Sequence, residues 1–120
     1  MSELRKSRVQ SAIEREVSTY LKNFDDPLLK EVFVTHVEVS NDLHYAKVFY
    51  TVLGKEDQAE EIIKSVSKVS KKIQKDIAFR LREMRKVPLL SFHFDLSIQK
   101  GDKVLKILED IEKEIEEKNE

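Results

Sequence analysis

The chain has 120 residues and a formal net charge of −1, and 40% of its residues are hydrophobic while 38% are charged. Because the charges are mixed in sign, these proportions disfavour a disordered chain and predict one folded domain over residues 1–120. The lack of cysteine excludes disulfides and thiolate chemistry. No apolar run approaches the roughly 20 residues that cross a bilayer, and the N-terminus lacks the apolar core of a signal peptide, so we expect a cytoplasmic protein without a membrane partner.

The first predicted element is an amphipathic helix over residues 4–24, with Ser2 as its N-cap. One apolar stripe follows helical spacing through Val9, Ile13, Val17, Tyr20, Leu21 and Phe24. Pro27 ends this helix, because proline disfavours helical geometry in the residue before it.

Two strands, at residues 31–40 and 44–53, are predicted next. In the first, Phe33, Thr35, Val37 and Val39 alternate with Val34, His36 and Glu38. In the second, Ala46, Val48, Tyr50 and Val52 alternate with Tyr45, Lys47, Phe49 and Thr51. The short turn around Asn41-Asp42 favours an antiparallel hairpin, in which the Asp42 side chain caps backbone N–H groups.

The next segment concentrates the positive charge of the chain. Residues 64–86 contain nine Lys or Arg against two acids, a net charge of +7 in a chain of −1. Apolar residues recur at helical spacing through the segment, which predicts a helix with one packed face and one cationic face. Such a face suits a polyanion, because phosphate contacts supply most sequence-independent affinity for nucleic acid. A solvated helix exterior explains the same charges, and the pattern alone leaves both interpretations open.

A third strand is predicted at residues 89–98, with Leu90, Phe92, Phe94 and Leu96 facing one way and Ser91, His93 and Asp95 the other. A last, acidic helix follows over residues 102–118, and residues 112–120 are expected to fray. The order helix, strand, strand, helix (as a pair), strand, helix predicts an α+β domain whose helices cover one face of a three-stranded sheet.

No constellation for catalysis emerges from the sequence. It has no cysteine, no Gly-x-Ser-x-Gly elbow and no glycine-rich phosphate loop. His36 and His93 could meet on the polar sheet face near Glu38 or Asp95, but a zinc site needs three or four ligands at defined geometry. We therefore expect no enzyme, no metal, no cofactor and no small-molecule substrate.

Four motifs, in order, resemble the family of bacterial ribosome-binding factor A. The hairpin signature V-x-x-S-x-D-L-x-x-A-x-V is met by Val37, Ser40, Asp42, Leu43, Ala46 and Val48. The family's D-P-x-L segment is similar to Asp26-Pro27-Leu28-Leu29, and its R-x-V-P-x-L-x-F segment to residues 85–92. Arg5-x-x-Arg8-Val9 resembles its first helix. The resemblance covers roughly residues 5–110.

The resemblance implies a type II KH-like fold that binds the small (30S) ribosomal subunit and assists late maturation of 16S rRNA, with a role in growth at low temperature. It also implies a kink between two helices at Ser70-Lys71-Lys72, where the family has a small-residue motif; one straight helix from about Asp57 to Arg82 is the alternative. The expected RNA-binding residues are Arg5, Arg8, Lys68, Lys71, Lys72, Lys75, Arg80, Arg82, Arg85 and Lys86.

Three hypotheses follow from these observations. The first is a monomeric, non-enzymatic ribosome assembly factor whose partner is the small subunit and its rRNA. The second is a general KH-type RNA-binding protein acting on other RNA, and the third is a protein-interaction domain whose charges serve only solvation.

Overall fold

The computed structural model describes residues 3–52, 56–95 and Lys113. Its helices are α1 (Glu3–Lys22) and α2 (Ala59–Arg80), and its strands are β1 (Val32–Val39), β2 (Tyr45–Val52) and β3 (Leu89–Phe94). Short 3₁₀ turns at Leu29–Glu31 and Glu56–Gln58 precede β1 and α2. The expected α+β class with a three-stranded sheet is confirmed. The Ser2 cap and the acidic helix over 102–118 lie outside the described residues, apart from a helical Lys113.

The sheet has the order β1-β2-β3, with β2 in the centre. β1 and β2 pair antiparallel as a hairpin, whereas β2 and β3 pair parallel. A parallel neighbour requires a crossover connection, and α2 supplies it between β2 and β3. Both helices contribute to one core with the sheet, and its fully buried members include Ile13, Val48, Ile73 and Ile77.

The expected alternation holds along β2 as far as Tyr50, whereas Thr51 is fully buried, and it fails on the first half of β1. Val34 pairs with Tyr50 and His36 with Phe49, so Thr35 is an extra residue in a β-bulge. A one-residue insertion exchanges the two faces of a strand. Val37 and Val39 are buried as expected, but Val34 is buried and Phe33 is 54% exposed, the reverse of the prediction.

β3 presents Phe94 to the core with Leu90 and Phe92 partly buried against it, as the sequence predicted. Asp95, expected on the solvated face, is buried, and its carboxylate accepts a 2.6 Å hydrogen bond from Thr35 Oγ1 at the bulge, which offsets the cost of burying it. Thr35 at the bulge on β1 thus contacts the residue that directly follows the far strand of the sheet.

α2 is one continuous helix, so the expected division into two helices at Ser70-Lys71-Lys72 is wrong. Ser70 Oγ does bond back to the Ser67 carbonyl at 3.0 Å, but this contact leaves the helix uninterrupted. Six buried side chains spread along α2, from Ala59 to Ile77, hold it against the core over its whole length. The packing therefore favours continuity over the local competition of the serines.

Candidate nucleic-acid interface

Four of the predicted RNA-binding residues form a cationic stripe on α2, namely Lys68, Lys71, Lys72 and Lys75. All four side chains are exposed. Residues three and four positions apart share one face of a helix, so the spacing of these lysines places them together, opposite the buried Ile73 and Ile77. No acidic residue interrupts the helix from Lys64 to Lys75. Within this stretch the stripe carries one charge sign, and the half-buried Asp76 borders it.

Positive charge towards the start of α2 is balanced locally. Lys64 pairs with Glu60 at 3.4 Å, an i,i+4 ion pair, and Glu61 also lies in the first helical turn. Acids in the first turn and a base in the last turn suit the helix dipole. Helix stability alone therefore explains the charges in the first turns of α2. It does not explain the lysines of the stripe, which begins one turn later.

Arg80 faces the other helix. Its guanidinium lies 5.3 Å from the centre of the Tyr20 ring and 3.6 Å from a Glu16 carboxylate oxygen. The Tyr20 hydroxyl donates a short hydrogen bond to Asp76, one turn before Arg80. Burial, and then this hydrogen bond, raise the pKa of Tyr20 to about 12, so the hydroxyl stays protonated as a donor. Arg80 therefore joins α1 to α2, a role that the sequence did not suggest.

Lys72 lies at the edge of a cavity of about 250 Å³ between the end of α1 and α2. Its ammonium sits 5.8 Å from the centre of the Phe24 ring. The cavity is lined by Tyr20, Asn23, Phe24, Asp25, Lys72, Asp76 and Arg80. Because two acids balance two bases there, the cavity is not a simple anion site. Lys72 is the member of the α2 stripe that lines it.

The remaining predicted residues of this region follow the last turn of α2. Arg82 stacks over Phe79, with 4.3 Å between its guanidinium carbon and the ring centre, and its Nη1 donates to the Phe79 carbonyl at 2.9 Å. Arg85 and Lys86 are exposed on the segment that enters β3. Phe79 is 66% exposed. Its position four residues after Lys75 could have drawn attention to it from the sequence.

Arg5 and Arg8 lie exposed on the first turns of α1, at one end of the molecule. Lys6 Nζ, between them, donates to Asn41 Oδ1 of the hairpin turn at 3.1 Å. The Leu89 N–H bonds to the His44 carbonyl of the same turn at 2.8 Å. The start of α1, the turn and the entry to β3 are therefore neighbours. Arg5 and Arg8 thus share an end of the molecule with the segment that carries Lys86.

The hairpin turn is held by Asp42, as the sequence predicted. Its Oδ1 accepts hydrogen bonds from Ser40 Oγ at 2.7 Å and from the His44 N–H at 3.0 Å. The Ser40 bond, followed by the His44 bond, lowers the pKa of Asp42 to about 2. Leu43 takes a positive φ of 61°, a conformation that costs energy for a non-glycine residue. The turn is thus a structural device.

On the polar sheet face His36 lies 3.5 Å from a Glu38 oxygen and 3.8 Å from an Asp95 oxygen, and its ring stacks on Phe49 at 4.3 Å. Within residues 3–52 and 56–95 no group of three or more His, Asp or Glu side chains has the geometry to hold a metal ion. In the same part of the chain no helix is long and apolar enough to cross a membrane.

Fold and surface define a small domain in which two helices cover one face of a three-stranded sheet, with an exposed cationic stripe on the second helix. The chain belongs to the ribosome-binding factor A family, whose family model matches residues 5–108. Ribosome-binding factor A of Staphylococcus carnosus is 36% identical over 94% of this chain and 98% of its own. That of Coprothermobacter proteolyticus is 39% identical over 97% of this chain and 84% of its own.

Solved structures of the family share the fold, which is KH-like. The crystal structure of ribosome-binding factor A from Thermus thermophilus superposes with a TM-score of 0.61 at 23% identity, covering 73% of this chain and 93% of that one. A homology model of the Thermus thermophilus protein, fitted into the cryo-EM map of its 30S complex, has a TM-score of 0.53 at 22% identity and covers 80% and 96%. The resemblance seen in the four motifs is confirmed.

Proposed function

We propose that this chain is a non-enzymatic assembly factor that binds the small ribosomal subunit and assists late maturation of 16S rRNA in the cytoplasm. Membership of the ribosome-binding factor A family supports the proposal, as does the fitting of a Thermus thermophilus relative into a 30S complex. The observation that carries it is the α2 stripe, where Lys68, Lys71, Lys72 and Lys75 are exposed within a stretch of the helix, residues 64–75, that contains no acid.

The proposed mechanism is phosphate binding by a rigid helix. The buried side chains of α2 fix its position on the core, so the lysines of the stripe are held at helical spacing before RNA arrives. Each phosphate contact releases counterions and positions the protein without reading sequence. An assembly factor must leave the subunit, and contacts of this kind give an affinity that does not depend on base-specific readout. We propose that the protein acts as a monomer and supports growth at low temperature.

Arg5, Arg8, Arg85 and Lys86 extend the proposed surface to the end of the molecule where α1 begins. Arg80 contributes less in this proposal, because Glu16 and the Tyr20 ring already engage its guanidinium. The RNA-binding surface is therefore centred on the α2 stripe and continues past the end of the helix.

The proposal is tested by sedimentation with ribosomal subunits in sucrose gradients. Wild-type protein should migrate with the small-subunit fraction, and the variant Lys71→Glu, Lys72→Glu, Lys75→Glu should remain at the top. The control Lys22→Glu, Lys30→Glu, Lys47→Glu reverses three exposed lysines elsewhere and changes the net charge equally. Its co-sedimentation should resemble that of wild type.

The salt dependence of binding gives a second readout. Each lost phosphate contact should flatten the slope of log K against log salt by about 0.7–0.9. Association of wild type with bulk RNA and not with the subunit would favour a general KH-type RNA-binding protein. Full co-sedimentation of the folded stripe variant would show that the stripe is not the interface.

A further inference from the structure

Phe79 is the most exposed large apolar side chain that the structure describes, with 66% of its surface accessible. It lies in the last turn of α2, a helix that buries six other side chains against the core. Exposure of a single apolar residue is common on protein surfaces. Phe79 is distinguished by its cationic neighbours, since Arg82 lies over the ring and Lys75 precedes it by one turn. Two acids, Asp76 and Glu83, also lie about one turn away along the chain.

Helical spacing aligns Phe79 with the α2 stripe. It follows Lys75 by four residues and Lys72 by seven, which places all three on one face. The ring therefore ends the stripe on the side where Arg85 and Lys86 continue the positive charge. The Phe79 ring therefore presents a flat apolar surface within the region that we propose binds RNA.

Arg82 fixes one side of the ring. Its guanidinium carbon lies 4.3 Å from the ring centre, and the hydrogen bond from Nη1 to the Phe79 carbonyl holds the guanidinium in that place. With this face covered and 66% of the residue still accessible, the opposite face is open to solvent. The Arg82 guanidinium thus covers one face of the Phe79 ring, and the other face is accessible to a ligand.

We infer that Phe79 is a stacking site for one unpaired RNA base, with Lys75 and Arg82 holding the neighbouring phosphates. The inference rests on the proposed function and adds to it a preference for single-stranded or looped RNA. Unpaired bases stack on aromatic side chains and on arginine planes, whereas bases inside a duplex offer no free face. Charge complementarity favours a nucleic acid over a protein partner, since Arg82 covers the ring and the lysines of the α2 stripe precede it on the same helix.

The first test compares Phe79→Leu with Phe33→Leu, a matched control because Phe33 is 54% exposed on β1, away from the stripe. The probes are a 12-nucleotide oligouridylate, a 12-base-pair RNA duplex and purified small subunits. Phe79→Leu should weaken oligouridylate binding by about 5- to 150-fold, the range of one lost base stack. Duplex binding should stay unchanged, and Phe33→Leu should leave all three affinities as in wild type.

The salt slope separates this site from the α2 stripe. Phe79→Leu removes no charge, so its slope of log K against log salt should equal that of wild type. Phe79→Tyr keeps a stacking ring and should keep wild-type affinity for the single strand.

A fluorescent reporter gives an independent reading, because the chain contains no tryptophan. In Phe79→Trp, oligouridylate should quench the indole emission as a base stacks on it. In Phe33→Trp it should not. Equal quenching in both variants, or none in either, would overturn the inference.

Three results are distinguishable. Failure of wild type to bind subunits would remove the proposed function itself. If wild type binds subunits and Phe79→Leu binds every probe with the same affinity as wild type, the proposed function stands and the stacking site is refuted. Loss of subunit binding in Phe79→Leu without any change on oligouridylate would show that the ring contacts a ribosomal protein, and would also overturn the inference.

Discussion

The hydrogen bond between Tyr20 and Asp76 is the contact between α1 and α2 whose removal we expect to be most informative. Tyr20→Phe deletes the hydroxyl and leaves the ring, which is 8% exposed and still packs against Phe24 and beneath Arg80. The Asp76 carboxylate then loses its donor from α1. The substitution therefore tests one polar bond in an otherwise preserved helix contact.

The magnitude follows from the environment of the two groups. Hydrogen bonds to charged groups contribute about 1.5–3 kcal/mol to stability. Asp76 is only half-buried, so water replaces part of the lost interaction, and we expect a loss of about 1–2 kcal/mol. For a chain of this size that loss lowers Tm by roughly 4–10 °C.

The assay is thermal and urea unfolding followed by circular dichroism, with Tyr45→Phe as the control. Tyr45 is 60% exposed, so deletion of its hydroxyl should change stability by less than about 0.5 kcal/mol. In a double-mutant cycle, Tyr20→Phe and Asp76→Ala should show a coupling of about 1 kcal/mol. Equal stability of Tyr20→Phe and wild type would refute the argument that this bond joins the helices.

The same bond predicts a pH dependence. The folded pKa of Tyr20, about 12, exceeds its ordinary value of 10.0, so the protonated hydroxyl is favoured in the folded state. The stability it contributes is complete below pH 10 and is lost as the pH rises through about 12. The difference in stability between wild type and Tyr20→Phe should therefore narrow over that range. A difference that stays constant would contradict the assignment.

Two further predictions concern the hairpin turn and the core. The pKa of Asp42 falls from 3.8 to about 2 on folding, so the ionised side chain stabilises the fold above pH 4 and this stabilisation is lost as the pH falls towards 2. In urea unfolding, the difference in stability between wild type and Asp42→Asn should shrink over that interval. A difference that does not change with pH would contradict this prediction. Ile73 is fully buried, so Ile73→Ala should lower the free energy of unfolding, measured in urea, by about 2–5 kcal/mol. Lys71 is exposed, so the control Lys71→Ala should stay within about 0.5 kcal/mol of wild type. Similar stabilities of the two variants would show that this face of α2 does not pack as described.

Local patterns in the sequence determined the elements of this protein. Apolar spacing identified α1 and its buried stripe, and alternation identified β2, because each periodicity matches the repeat of one backbone conformation. The turn at Asp42 was predictable for the same reason, since its hydrogen bonds join residues no more than two apart. The concentration of lysines on α2 is likewise a property of one helix.

Only the tertiary structure decided how these elements meet. The bulge at Thr35 depends on a partner strand, and the hydrogen bond to Asp95 joins residues 60 positions apart, so neither is encoded in a local pattern. The family motif and the serines indicated a kink in α2, but packing along the whole helix keeps it continuous. Arg80 and Phe79 are adjacent in sequence, yet Arg80 turns towards α1 while Phe79 stays exposed beneath Arg82. Their roles differ because the position of α1, set by the shared core, determines which side of α2 is covered and which is open.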